Sequence, residues 1–356
     1  MSECLYRGKS VILRLILAAL ITSGAHAQTN NPSEHTNQPS ARVVIVENHD
    51  ATYDLQPVPD VVQSMVDSAI TNLTGKSSVK AAWLSLVSNS DTVGIKVYSA
   101  PGPNSGTRPA VAAAVVQGLI AAGLPPKQIV VWDKRSVDLR LAGYYDFESH
   151  YGIRVTGSLE AGWDDKSFYE TALLGQMNWT DLEFNQKGPG IGRKSYVSRL
   201  VSQQLTKIIN IAPLMHHNVA GVYGCLYSLT MGSVDNTLRF QNNLPELDKA
   251  VPEIYALPIF GDKVAGEKVV LSVVDALICQ YEGQDQGLLH YSTVLNQIRV
   301  SHDPVALDTL SLAEINRQCK LAGKAASNTN FELLDNAALL EIGVSDPKRI
   351  DVLKVP

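Results

Sequence analysis

Eight short runs of β-branched and aliphatic residues, separated by stretches with helical apolar spacing, constrain this chain more than any other feature of it. They are "RVVIVEN" (42–48), "TVGIKVYS" (92–99), "QIVVWDK" (128–134), "IRVTG" (153–157), "KIINIAPL" (207–214), "KVVLSVVDA" (268–276), "QIRVSHD" (297–303) and "RIDVLKV" (349–355). Several are apolar on consecutive positions, the pattern of strands covered on both faces. Between them, helices are predicted over 58–73, 108–123, 194–205 and 303–323. The last has Asp303 as N-cap and Gly323 as its stop. Strand–helix alternation predicts an α/β fold with a mostly parallel sheet flanked by helices, built as one domain or as two lobes with a cleft between them. In such sheets ligands sit at the carboxyl ends of the strands, so those ends are where a site is sought.

The first 27 residues are set apart from this pattern. Arg7 and Lys9 precede an apolar stretch, and Ala25-His26-Ala27 is a small-residue cleavage pattern, so residues 1–27 are expected to be a secretory signal cleaved after Ala27. Residues 28–41 are polar, with two prolines and no periodicity, and are expected to form a disordered linker to an α/β domain over 42–356. The mature chain is then a periplasmic or secreted protein with no integral membrane segment. The formal net charge of −5 becomes more negative once Arg7, Lys9 and Arg14 leave with Glu3. That argues against a nucleic-acid partner, which needs a basic face. Cys225, Cys279 and Cys319 remain, with no CxxC pair, so no iron–sulfur cluster or cysteine zinc site is expected. One disulfide among them, or three small buried hydrophobes, are both open readings.

Five strand ends carry chemistry. "GIKVYSAPGPNSGTRP" holds Lys96 in mid-strand, then a Gly/Pro/Ser loop ending in Thr107 and Arg108 before a helix. Loop amides, a helix N-terminus and an arginine suit a carboxylate or phosphate. A turn with a solvated arginine fits the same residues. "VVWDKR" ends in Asp133, with Lys134 and Arg135 in the following loop; Asp133 caps a turn or binds a ligand. "IINIAPLMHHNVAGVYG" delivers His216 and His217, followed by Gly221 and Gly224, with Arg239 downstream. Adjacent side chains of an extended strand point apart, so one histidine faces any given pocket, and His217 is the candidate. "VVDAL" ends near Asp275, and "VSHDP" presents His302.

These blocks resemble, in order and spacing, the uncharacterised bacterial family known as domain of unknown function 362. Some of its members carry iron–sulfur cysteines, which this chain lacks. "HNVAGVYGCLY" is also similar in layout to a segment of the lactate racemase family, which holds a nickel-pincer nucleotide. That likeness matches His217, Gly221 and Gly224 to the family's histidine and glycines, and "TRP" (107–109) to its phosphate-gripping loop. The family's tethering lysine falls on Tyr227, and near its later histidine stand Gln241, Asn242 and Asn243. A covalently tethered nickel-pincer nucleotide is therefore not expected.

The expectation is an enzyme or enzyme-like protein acting on a small anionic metabolite. His217, Lys96 and Asp133 would be its catalytic groups, and Arg108, Thr107, Gly221, Gly224 and Arg239 its ligand-binding groups. A divalent metal held by His217, His302 and Asp275 is one candidate cofactor. The alternative is a non-catalytic metal- or small-ligand-binding protein derived from such an enzyme. The oligomeric state, the ligand and the metal stay open. The five residues Lys96, Arg108, Asp133, His217 and Asp275 are predicted to line one cleft, with His217 pointing in and His216 away.

Overall fold

Alternation within each strand decides which helices cover which face of the sheet. In the strand Val93–Val97 (β2), Val93, Ile95 and Val97 belong to one apolar core, while Gly94 and Lys96 face the opposite side. The first core packs Pro59–Thr74 (α1) and Pro109–Ala122 (α2) against the sheet. The second face is covered by Cys225–Ser233 (α3), Leu244–Tyr255 (α4) and Pro304–Leu321 (α5). The computed structural model describes residues 40–262, 266–283, 286–325 and 331–356. The expected signal over 1–27 and most of the expected linker over 28–41 lie outside the described residues; Ala41 already belongs to a strand.

The remaining strands of the main sheet are Ala41–Glu47 (β1), Ile129–Asp133 (β3), Arg154–Gly157 (β4), Lys207–His217 (β7), Val269–Gln280 (β8), Ser292–Ser301 (β9) and Ile350–Val355 (β10). Trp163–Glu170 (β5) and Lys194–Ser198 (β6) form a separate two-stranded ribbon. The order across the sheet is β10-β1-β9-β8-β7-β2-β3-β4, with the two-residue strand Gly221–Val222 folded back on β7. Along this path only β9 runs antiparallel to its neighbours, pairing so with β1 and β8. All eight predicted strands are present, and the sheet is mostly parallel with helices on both faces. Residues 39–356 form one compact unit, so the cleft between two lobes is replaced by a cavity against a sheet rim.

Two local expectations fail. The stretch 194–205, predicted helical, is the strand β6 followed by one π-helical turn at Leu200–Gln204. Tertiary pairing with β5 overrides its propensity. The seventh strand, expected over 297–303, begins five residues earlier at Ser292 and lies beside β8. Its direction is set by pairing, antiparallel to both β8 and β1.

Asp303 caps α5 through Ala306 N (2.8 Å) and also accepts from Val344 N (2.9 Å), tying the helix start to the C-terminal segment. The cysteines Cys225, Cys279 and Cys319 are buried, and no disulfide joins them to one another. Among the described residues no helix is long and apolar enough to cross a membrane. Asp303→Ala removes two half-buried acceptors at once. Urea unfolding should show a loss of about 2 kcal/mol, with an unchanged m-value; a loss below about 0.5 kcal/mol would contradict the double role.

Candidate site at the strand carboxyl ends

The strands β8, β7, β2 and β3 lie side by side and parallel, so their carboxyl ends share one rim. The chain leaves β2 toward β3 and later returns to β7 on its other side. The junction of β2 and β7 is therefore where the strand order reverses, the usual position of a ligand crevice. Here Thr107 fills it. Its Oγ1 donates to Ile211 O of β7 (2.7 Å) and accepts from Tyr98 N (3.0 Å), bridging the two strands.

The predicted polar groups meet as two closed ion pairs. Lys96 is fully buried and its Nζ lies 2.8 Å from Asp133 Oδ1, with Val97 O at 2.7 Å and Ser228 Oγ at 3.4 Å. Asp133 Oδ2 accepts from Ser99 N and Ser99 Oγ, both at 2.7 Å. Burial pushes the Lys96 pKa below its ordinary value, and the Asp133 carboxylate opposes that shift. Arg108 Nη1 lies 3.0 Å from Asp275 Oδ1, and Arg108 N donates to Asp275 Oδ2 at 2.8 Å. Nη2 donates to Asn104 O (2.8 Å). The arginine expected to grip a ligand anion thus holds a carboxylate of its own chain.

Two glycines let α3 settle over charged side chains. A Cβ on Gly232 would collide with Lys96 Cε, and one on Gly224 would collide with the Asp308 carboxylate. Asp308 accepts from Cys225 N (2.6 Å) and Leu226 N (2.9 Å) at the start of α3. Burial pushes its pKa up to about 7. Gly224 therefore seats an internal carboxylate rather than a ligand, and Gly221 (φ 80°) makes the turn that pairs with His217.

His217 Nδ1 accepts from Val219 N (3.0 Å) and Ala220 N (2.9 Å), and the ring packs 4.4 Å from both Tyr223 and Tyr227. Burial, then the adjacent His216, pushes its pKa down to about 4. It is a neutral imidazole one tyrosine ring behind the cavity described below. His216, on the other side of the strand, is also pushed down by burial and pulled up by Glu282. His302 lies elsewhere. It follows the antiparallel β9, whose Ser301 pairs with Ser272, and its Nδ1 sits 2.9 Å from Val270 O near the start of β8. From there to the far end of β7 is on the order of 25 Å. It lines a second cavity of about 380 Å³ with Tyr255 and Phe260. His217, His302 and Asp275 do not converge and do not fit a metal ion. Among the described residues no group of three His, Cys, Asp or Glu side chains could hold one. Arg239 is likewise spent internally, on Tyr169 O, Thr171 Oγ1 and Ser195 Oγ of the β5–β6 ribbon region.

The rim carries a cavity of about 640 Å³, within the usual range for small-molecule sites. It lies over the ends of β2, β3 and β4, walled by α3 and by the segment between β5 and β6. Of the five residues predicted to share a cleft, Asp133 lines it; Lys96 lies directly beneath, under Gly232 and Ser228. Arg108, Asp275 and His217 do not. The cavity's cations are Lys134 and Arg135. Arg135 is forked onto Asp138 (2.8 and 3.1 Å). Lys134 Nζ donates to Thr237 Oγ1 (3.0 Å), and no carboxylate of the described residues stands within ion-pair distance of it. Burial pushes its pKa down to about 8, with Asp181 and then Asp235 opposing at longer range. Lys134 and Thr237 were not singled out from the sequence. The available signal was a lysine immediately after a strand-ending aspartate.

Fold and site define an α/β protein with a ligand-sized cavity at the carboxyl ends of a mostly parallel sheet. The chain belongs to the family described as Domain of unknown function (DUF362), which matches residues 93–313. No curated protein matches it. A structural-genomics crystal structure of a Thermotoga maritima protein is similar at 13% identity over 76% of this chain, with a TM-score of 0.39, too low to argue from. The chain spans 60% of that one.

Two outcomes test this geometry. Lys96→Met strands a buried carboxylate and should cost about 3–5 kcal/mol in urea unfolding, with Lys96→Met/Asp133→Asn recovering much of the loss. A neutral single variant would mean the pair is not what holds the rim. For His217 the folded pKa lies below the unfolded one, so its neutral form is retained as pH falls and stability is lost from about pH 6.5 down toward 4. Its ring proton signal should keep the neutral chemical shift from pH 8 to about pH 5; a midpoint near 6.5 would contradict the buried acceptor geometry.

Proposed function

We propose that the protein is a periplasmic or secreted enzyme or enzyme-like protein that takes a small anionic ligand into the cavity over β2, β3 and β4. The observation that carries this reading is Lys134, a half-buried cavity cation whose ammonium is bound to a hydroxyl and not to a carboxylate. The other cations at the rim are neutralised within the chain: Lys96 by Asp133, Arg108 by Asp275, and Arg135 by Asp138. A ligand anion entering the cavity meets a cation already partly desolvated, which strengthens the attraction relative to water. Asp133 is the carboxylate at the cavity floor, with Lys96 sealed beneath it as its fixed counter-charge. The character of residues 1–27 supports export.

A second reading is a binding protein without turnover. It is favoured by His217, whose Nδ1 is occupied by two backbone amides and which is screened from the cavity by Tyr227. Both readings place the ligand on Lys134. Small carboxylates and phosphate esters should raise the Tm of the wild type, and Lys134→Gln should abolish that rise while keeping the unliganded Tm within about 2 °C. Stabilisation that survives in Lys134→Gln would overturn the reading, and conversion of the stabilising compound would decide for the enzyme.

A further inference from the structure

The cavity has more room than an anionic group needs, and exposed apolar side chains line it. Trp179, with 77% of its surface exposed, lines the cavity together with Val137 at 52% and Leu238 at 41%. An exposed tryptophan on a loose loop would mean little, but this one is clamped on both sides. Asn178 N donates to Asp181 Oδ2 (2.8 Å), and Asp181 Oδ1 accepts from Asn236 N (2.8 Å). Thr180 N donates to Asn178 Oδ1 (3.0 Å), closing the turn on itself. Thr180 O takes the indole N–H of Trp163 (2.8 Å), a buried ring that also lines the cavity. Asp181 is itself buried, so the backbone of the turn that carries Trp179 is fastened to the body of the protein.

We infer that the ligand is an anion carrying an aromatic ring: its charged group sits at Lys134 and Thr237, and its ring lies against Trp179, with Val137 and Leu238 lining the same cavity. The inference rests on the reading of Lys134 as the anion site. A carboxylate or phosphate alone would occupy a small part of about 640 Å³ and leave the rest to water. A ligand with a planar apolar part fills the remainder and covers three exposed apolar side chains. Because the turn's backbone is already tied down, stacking on Trp179 orders one side chain rather than a loop, which keeps the entropy cost of the contact small.

Matched pairs test it: acetate against phenylacetate and methyl phosphate against phenyl phosphate, titrated by calorimetry into the wild type, Trp179→Ser and Lys134→Gln. In the wild type the aromatic member of each pair should bind about tenfold or more tightly than its partner. Trp179→Ser should cut that preference to about threefold or less and leave the affinity for acetate and methyl phosphate unchanged. Lys134→Gln should lose all four. Equal binding of the two members in the wild type, or a preference that survives in Trp179→Ser, overturns the aromatic subsite while leaving the anion site standing. Failure of all four anions to bind the wild type overturns both.

Discussion

A lysine ammonium buried in the middle of a parallel sheet has to be paired, and the Lys96–Asp133 contact is the constraint around which this molecule's carboxyl rim is arranged. It couples β2 to β3 at the position where each strand turns into its loop. It fixes what can lie above it, because α3 approaches Lys96 with a glycine and no bulkier residue fits. The other end of α3 obeys the same rule, with Gly224 seated on the Asp308 carboxylate from α5. One helix is thus positioned at both ends by buried charges, and that helix is a wall of the cavity.

The rim is consequently a place where charge is cancelled inside the chain. Arg108 and Asp275 cancel one another, as do Lys96 and Asp133, and the helix N-terminus that could take an outside anion is filled by Asp308. Buried groups that keep no full counter-charge shift toward neutrality: His217 down to about 4, Asp235 and Asp308 up to about 7. Their linkages run in opposite directions. Stability from the carboxylates is present at low pH and lost as pH rises through about 7, whereas the histidine's penalty grows as pH falls below about 6.5. What remains for a ligand is Lys134, a hydroxyl partner and an aromatic lip.

Much of the scaffold was legible in the sequence because it is written locally. Consecutive apolar positions in the "VVIV", "IVVW" and "VVLSVV" stretches mark strands covered on both faces, and Asp303-Pro304 marks a helix start. That four strand ends share a rim also followed, since parallel strands bring like ends together. Pairings across the chain did not. Arg108 and Asp275 are 167 residues apart, and nothing in either segment names the other. His302 was misplaced because β9 runs antiparallel to β8 and β1, which puts its carboxyl end at the opposite edge, and its own residues do not state that direction. The ribbon Trp163–Glu170 with Lys194–Ser198 escaped because it is half-polar and its partners are separated by a long loop, yet that loop carries Trp179. The likeness of the 217–227 segment to a cofactor-binding layout directed attention to His217, whereas the cavity opens two strands away, over β3 and Lys134.

The central claim is that Lys96 is a sealed structural cation and Lys134 an accessible one with a lowered pKa. Timed labelling of the native protein with an amine-acylating reagent at pH 8, read lysine by lysine by peptide mass spectrometry, tests it without knowledge of the ligand. The account predicts rapid modification of Lys134, slowed by phenyl phosphate, and no modification of Lys96 until the protein unfolds. Labelling of Lys96 at a rate comparable to Lys134 in the folded protein, or a Lys134 that stays unreactive, would contradict it.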